Sequence, residues 1–140
     1  MAFIDPSKSF FAFDATVGGT LVAITTYLTE IDGLPGPRAV NEVTALSDKG
    51  AKFIPGLENV TITLAGIHDS TGTGPDDIFG LHRTGTATGS FKWAPNGSGT
   101  GTAYTGEAWV TDYRVTARVG NAVAFSVSLQ VDGTITRGAA

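Results

Sequence analysis

At 140 residues the chain has the length of one domain, enough to bury about two thirds of its unfolded surface, and a single unit over residues 1–140 is expected. Only 16% of the residues are charged, while 19 glycines and 20 threonines favour pleated strands and tight turns over helices. A net charge of −4 with nine scattered basic residues argues against a protein that grips nucleic acid, which needs clustered Lys and Arg. The absence of cysteine removes disulfides, thiolate nucleophiles and thiolate metal sites together.

The chain opens Met1-Ala2-Phe3-Ile4-Asp5-Pro6, with neither a basic start nor an apolar core, so a protein made in the cytoplasm without a leader is expected. There is no apolar run long enough for a transmembrane helix, and membrane insertion is not expected. Phe11, Phe13, Ala15 and Val17 alternate as a first strand. Leu21 to Ile31 reads as a second strand, bulged in its middle, with apolar residues on both faces. Asp32 to Gly56 is a long excursion rich in Gly and Pro around one strand, Val40 to Leu46. It is longer than connection requires, which marks it as functional or pinned by a partner.

Val60, Ile62 and Leu64 alternate with Thr61 and Thr63 as a half-buried strand. One short helix is predicted from Pro75 at the first helical position, Asp76 and Asp77 at the positive end of the dipole, and Ile78, Leu81 and His82 on one face; Gly80 limits its length. Phe91 and Trp93 flank Lys92 as another strand, and Pro95 to Gly101 is a loop.

The clearest pattern spans Glu107 to Asp132. Trp109, Tyr113, Val115, Ala117 and Val119 occupy odd positions against polar even ones, and after Gly120-Asn121 the alternation resumes with Val123, Phe125, Val127, Leu129 and Val131. This predicts a long antiparallel hairpin around a two-residue turn, with Trp109, Val115, Phe125, Val127 and Leu129 packing the core. Ser126, Ser128 and Gln130 fall on the other face.

Catalytic patterns are weak. His68 and His82 flank a Gly-rich turn with Asp69, Asp76 and Asp77 nearby, but no third histidine completes a metal-ligand spacing. No serine sits in a Gly-x-Ser-x-Gly turn, and the glycine runs lack the lysine and helix of a phosphate cradle. No catalytic residue, metal site or cofactor is expected. Trp93, Trp109 and Tyr104 could form a stacking platform for sugars, so a monomeric β-sandwich carbohydrate- or ligand-binding module is the rival reading.

The stretch Glu42-Val43-Thr44-Ala45-Leu46-Ser47-Asp48-Lys49-Gly50-Ala51-Lys52-Phe53-Ile54-Pro55-Gly56-Leu57-Glu58-Asn59-Val60-Thr61-Ile62-Thr63-Leu64 resembles the tail tube, or major tail, proteins of long-tailed bacteriophages. Those proteins carry a similar glutamate-valine-threonine opening, an acidic turn, and isoleucine-proline-glycine-leucine leading into a strand. Val119-Gly120-Asn121, Phe125 to Val131, then Gly133, Ile135 and Arg137 are similar to their closing strand and tail. The short Gly-interrupted helix and the Gly/Thr loop near residue 100 depart from the pattern.

The resemblance implies an all-β fold, a β-sandwich or barrel-like tail tube subunit with one short flanking helix and a long loop. It implies a homo-oligomer of stacked hexameric rings whose inner wall is a continuous barrel. Tape-measure and tail-tip or terminator proteins are implied as partners, with viral DNA passing through the lumen without specific binding. The location implied is the virion tail, assembled in the host cytoplasm. Glu42, Asp48, Lys52, Phe53, Ile54 and Leu57 would make contacts between subunits or rings, and Ser126, Ser128 and Gln130 are candidates for the lumen face.

Overall fold

In the computed structural model, which describes residues 8–14, 20–69, 74–97, 99 and 101–140, the chain is mostly strand, with one short helix. Its elements are β1 (Phe10–Asp14), β2 (Leu21–Ala23), β3 (Leu28–Asp32), β4 (Arg38–Glu42), β5 (Phe53–Glu58), β6 (Thr61–Ile67), α1 (Pro75–Thr84), β7 (Gly89–Ala94), β8 (Thr102–Thr116) and β9 (Ala124–Ala139). Seven strands form one antiparallel sheet in the order β2-β1-β7-β8-β9-β6-β3, curled into a half-barrel. β4 and β5 pair separately as a two-stranded hairpin.

One face of the sheet is apolar by alternation. Phe11 and Phe13 of β1, Phe91 of β7, Val110 of β8, Phe125, Val127 and Leu129 of β9, and Ile62 and Leu64 of β6 are all buried there. Each contributes about 1.5–3 kcal/mol by leaving water. α1 closes this face with Pro75, Ile78, Phe79 and His82, spaced at helical period on one side. The Phe79 ring lies 5.5 Å from Phe13 and 6.2 Å from Phe125. At the helix start the Tyr113 hydroxyl donates to Asp76 (2.8 Å), tying α1 to β8.

Several expectations are corrected. Leu81 is exposed and Phe79 takes the core position, because the buried stripe runs through 75, 78, 79 and 82. The helix is short, as expected, and runs through Gly80 to Thr84. The second strand is two: β2 and β3 are separated by a 3-10 turn at Thr25–Tyr27 and lie at opposite edges of the sheet. β3 is mostly exposed rather than covered on both sides. The excursion carries two strands instead of one. Of the first strand, Ala15 and Val17 lie outside the described residues.

The long hairpin is β8–β9, but its connection is the seven-residue stretch 117–123. Asn121 has no positive φ, so the two-residue turn that needs one at both positions does not form. Instead the Asn121 amide donates to the Arg118 carbonyl (3.2 Å), with Gly120 at φ +85° supplying the reversal. A register shift between Val110 and Asp112 places Thr111 as a bulge. Odd positions therefore change face within one strand. Tyr113 and Val115 lie across from Val127 and Phe125 on the core side, whereas Trp109 lies across from Gln130 on the opposite face. Trp109 is 38% exposed and Val115, at the core's margin, 46%, so neither is the core residue expected from alternation.

Candidate assembly surfaces

β7 ends at Gly89, opposite Ala108, so Trp109 to Thr116 of β8 has a neighbouring strand on its β9 side alone among the described residues. At the other end β3 is the sheet edge. The half of the sheet made by β8, β9, β6 and β3 is thus a four-strand block with a free edge on each flank.

The face of this block away from the core gathers Ser126, Ser128 and Gln130 with Trp109, Asp112, Arg114, Thr61, Thr63, Ala65, Glu30 and Asp32. Register requires this: each residue pairs with another of the same face, one position out of step with the buried set. Gln130 anchors it, accepting from the Thr61 hydroxyl (3.1 Å) and donating to the Asn59 side-chain oxygen (2.8 Å). Arg114 pairs with Asp112 (3.1 Å), both largely in water, a contact of little energetic weight. The three carboxylates Glu30, Asp32 and Asp112 against the single guanidinium of Arg114 leave the face acidic.

The β4–β5 hairpin is the second surface. All five residues of β4 are exposed, and Val40, Val43, Leu46, Phe53, Ile54 and Leu57 carry apolar side chains into solvent, Leu57 at 88%. Apolar side chains exposed in this number on one hairpin mark a contact surface or an aggregation hazard. Glu42, opposite Phe53, is exposed beside it. Asp48 and Lys52 serve the tip itself. The Asp48 carboxylate accepts from the Ala45 amide (2.7 Å) and pairs with Lys52 Nζ (2.9 Å), while the Lys52 amide donates to Thr44 Oγ1 (2.9 Å). The Ala45 amide, then Lys52, holds the Asp48 carboxyl below its usual range. Val40, Val43 and Leu46 are exposed on this hairpin, whereas apolar residues in a strand ordinarily signal burial.

The features weighed for other chemistry are dispersed. His82 is a core residue: its Nε2 donates to the Asp14 carbonyl (3.0 Å) and its ring meets Phe13 edge-on at 5.0 Å. Trp93 and Tyr104 are cross-strand partners, but Trp109 lies on the opposite face, so the three aromatics form no shared platform. An open cleft of about 880 Å3 does lie beside β3, walled by Phe10, Ala23, Leu28, Ile31 and Trp93, with Glu30 also on its lining.

No protein-family model and no curated protein matches the chain. Solved structures do. A chain of the virion of the native gene transfer agent particle superposes with a TM-score of 0.74 at 14% identity, over 98% of this chain and 100% of that one. The SPP1 tail tube matches with a TM-score of 0.70 at 17% identity, over 99% and 80%. A chain of the sheath–tube complex of an extracellular contractile injection system gives 0.69 at 11%, over 99% and 93%. The chain has the tail tube fold. Tail tube structures of phages and of contractile injection systems match it over nearly its whole length, and the gene transfer agent tail among them was refined with C6 symmetry.

Proposed function

We propose that this protein is a structural tail tube subunit, assembling as stacked six-membered rings that form the conduit for viral DNA. The four-strand block with two free edges carries this reading. Along the block β8, β9, β6 and β3 alternate in direction, so β8 of one copy meets β3 of the next antiparallel, and any whole number of copies closes without a parallel seam. Closure removes both edges, which a Thr/Val-rich sheet would otherwise offer to aggregation. Six copies give about 24 strands which, near 4.8 Å spacing and about 40° tilt, close at roughly 48 Å, leaving about 35–40 Å of lumen after side chains.

The acidic face bearing Ser126, Ser128 and Gln130 is the lumen wall in this arrangement. Its negative excess repels phosphate and lets a nucleic acid slide. The β4–β5 hairpin, with Phe53, Ile54, Leu57 and Glu42, makes the contacts between rings, and Asp48 and Lys52 shape its tip. The tape-measure protein is the occupant before ejection, terminator proteins cap the stack, and the tail of the virion is the place of work. The subunit has no catalytic task.

Ser128→Asp tests the wall. The variant is expected to form rings and tubes as wild type does under negative-stain electron microscopy, because water faces that position. Loss of assembly with an unchanged circular dichroism spectrum would place Ser128 in a packed interface and contradict the assignment.

A further inference from the structure

Among the apolar features outside the hairpin are the cleft beside β3 and, on α1, the exposed Leu81. Leu81 is 58% exposed, on the flank of the helix beside Ile78 and outside the buried stripe. Val115, on the core side of β8, is half exposed past the end of the core.

We propose that the cleft is a socket for a second copy of this chain, filled by its α1 and the end of its β8, with Leu81 and Val115 as the knobs. The proposal rests on the edge-to-edge closure given above. A strand added to the free edge of β3 continues the pleat, so the core side of the incoming strand emerges on the core side of β3, where Leu28 and Ile31 point. In that closure the incoming strand is Trp109 to Thr116, and its core-side residues are Val110, Tyr113 and Val115.

α1 travels with this strand. The Tyr113 hydroxyl holds Asp76, and the Phe79 ring lies 6.2 Å from the Tyr113 ring. The helix therefore arrives on the cleft side of the seam, carrying Leu81. One core thereby runs through the seam, and the helix, a small element in the lone subunit, becomes a wedge between copies. The contact is heterologous, helix of one copy into cleft of the next, as ring formation requires.

The chain has no cysteine, so site-specific cross-linking starts from a clean background. Leu81→Cys and Thr26→Cys place thiols on exposed positions of the knob and the cleft wall. Equal amounts of the two full-length variants are mixed at assembly concentration and treated with a short bis-maleimide. The expected result is a mixed dimer several-fold above either homodimer, and a ladder of multimers from the chain carrying both changes. Homodimers at collisional levels alone, or closure of the double variant within one chain, would overturn the proposal. So would the absence of mixed dimer together with saturable tryptophan quenching by glycans, which would put a small ligand in the cleft. Rings seen by microscopy without the mixed dimer sink the socket and leave the tube standing; the mixed dimer without rings does the reverse.

Discussion

At Gly66 a side chain has no room. A Cβ there would overlap the Tyr27 carbonyl oxygen and lie 2.9 Å from the Phe125 ring, at the point where the start of β3 crosses onto β6. Gly66→Ala is expected to cost about 1–3 kcal/mol, read as a lower midpoint in urea unfolding. Tyr113 is the second sensitive residue. Burial first, then the Asp76 carboxylate it donates to, raises its phenol well above the ordinary 10.0. A raised acid favours the neutral form in the folded state, so its contribution is complete below about pH 10 and is lost as pH rises beyond that. Wild type should therefore lose stability between neutral pH and pH 11 more steeply than Tyr113→Phe; parallel thermal melts of the two proteins would show that Tyr113 plays no such part. Alternation alone identified Phe125, Val127, Leu129, Ile62 and Leu64 as core. It failed at Trp109, since a bulge at Thr111 moves parity without altering the pattern of letters, and at Val115, which keeps the core side but lies past the end of the core.

At the scale of elements, legibility followed burial. β6, β7, α1 and the β8–β9 pair each bury one side, so period 2 or 3.6 is printed in their residues. The β4–β5 hairpin buries neither side of β4, and its apolar residues answer to something outside the lone subunit, so no internal period reveals two strands. The edge strands β2 and β3 were merged for a related reason: the 3-10 turn between them contains Thr25-Thr26-Tyr27, residues equally at home in a strand. The tip of the hairpin offers a local test. Asp48→Ala removes the acceptor of the Ala45 amide and the partner of Lys52. Hydrogen exchange at the Ala45 amide should quicken while the global unfolding midpoint stays within error, and an equal fall in global stability would show that the tip is part of the folding unit.

For the molecule as a whole, the block β8-β9-β6-β3, with a free antiparallel edge on each flank, is an incomplete object, and the proposed ring closure would complete it. Neither edge was visible in the sequence, because an edge is a property of which strands are absent beside it; the resemblance across Glu42 to Leu64 pointed to a ring before any edge was seen. The acidic face was equally hidden, since Glu30, Asp32 and Asp112 come from strands far apart in the chain and meet through register alone. A cryo-electron microscopy reconstruction of the assembled protein tests the central claim most directly. It is expected to show six-fold rings in which β8 of each subunit runs antiparallel beside β3 of the next, with Ser126, Ser128 and Gln130 facing the lumen. Particles in which those two edges stay apart, or in which that face packs against protein on the outside, would contradict it.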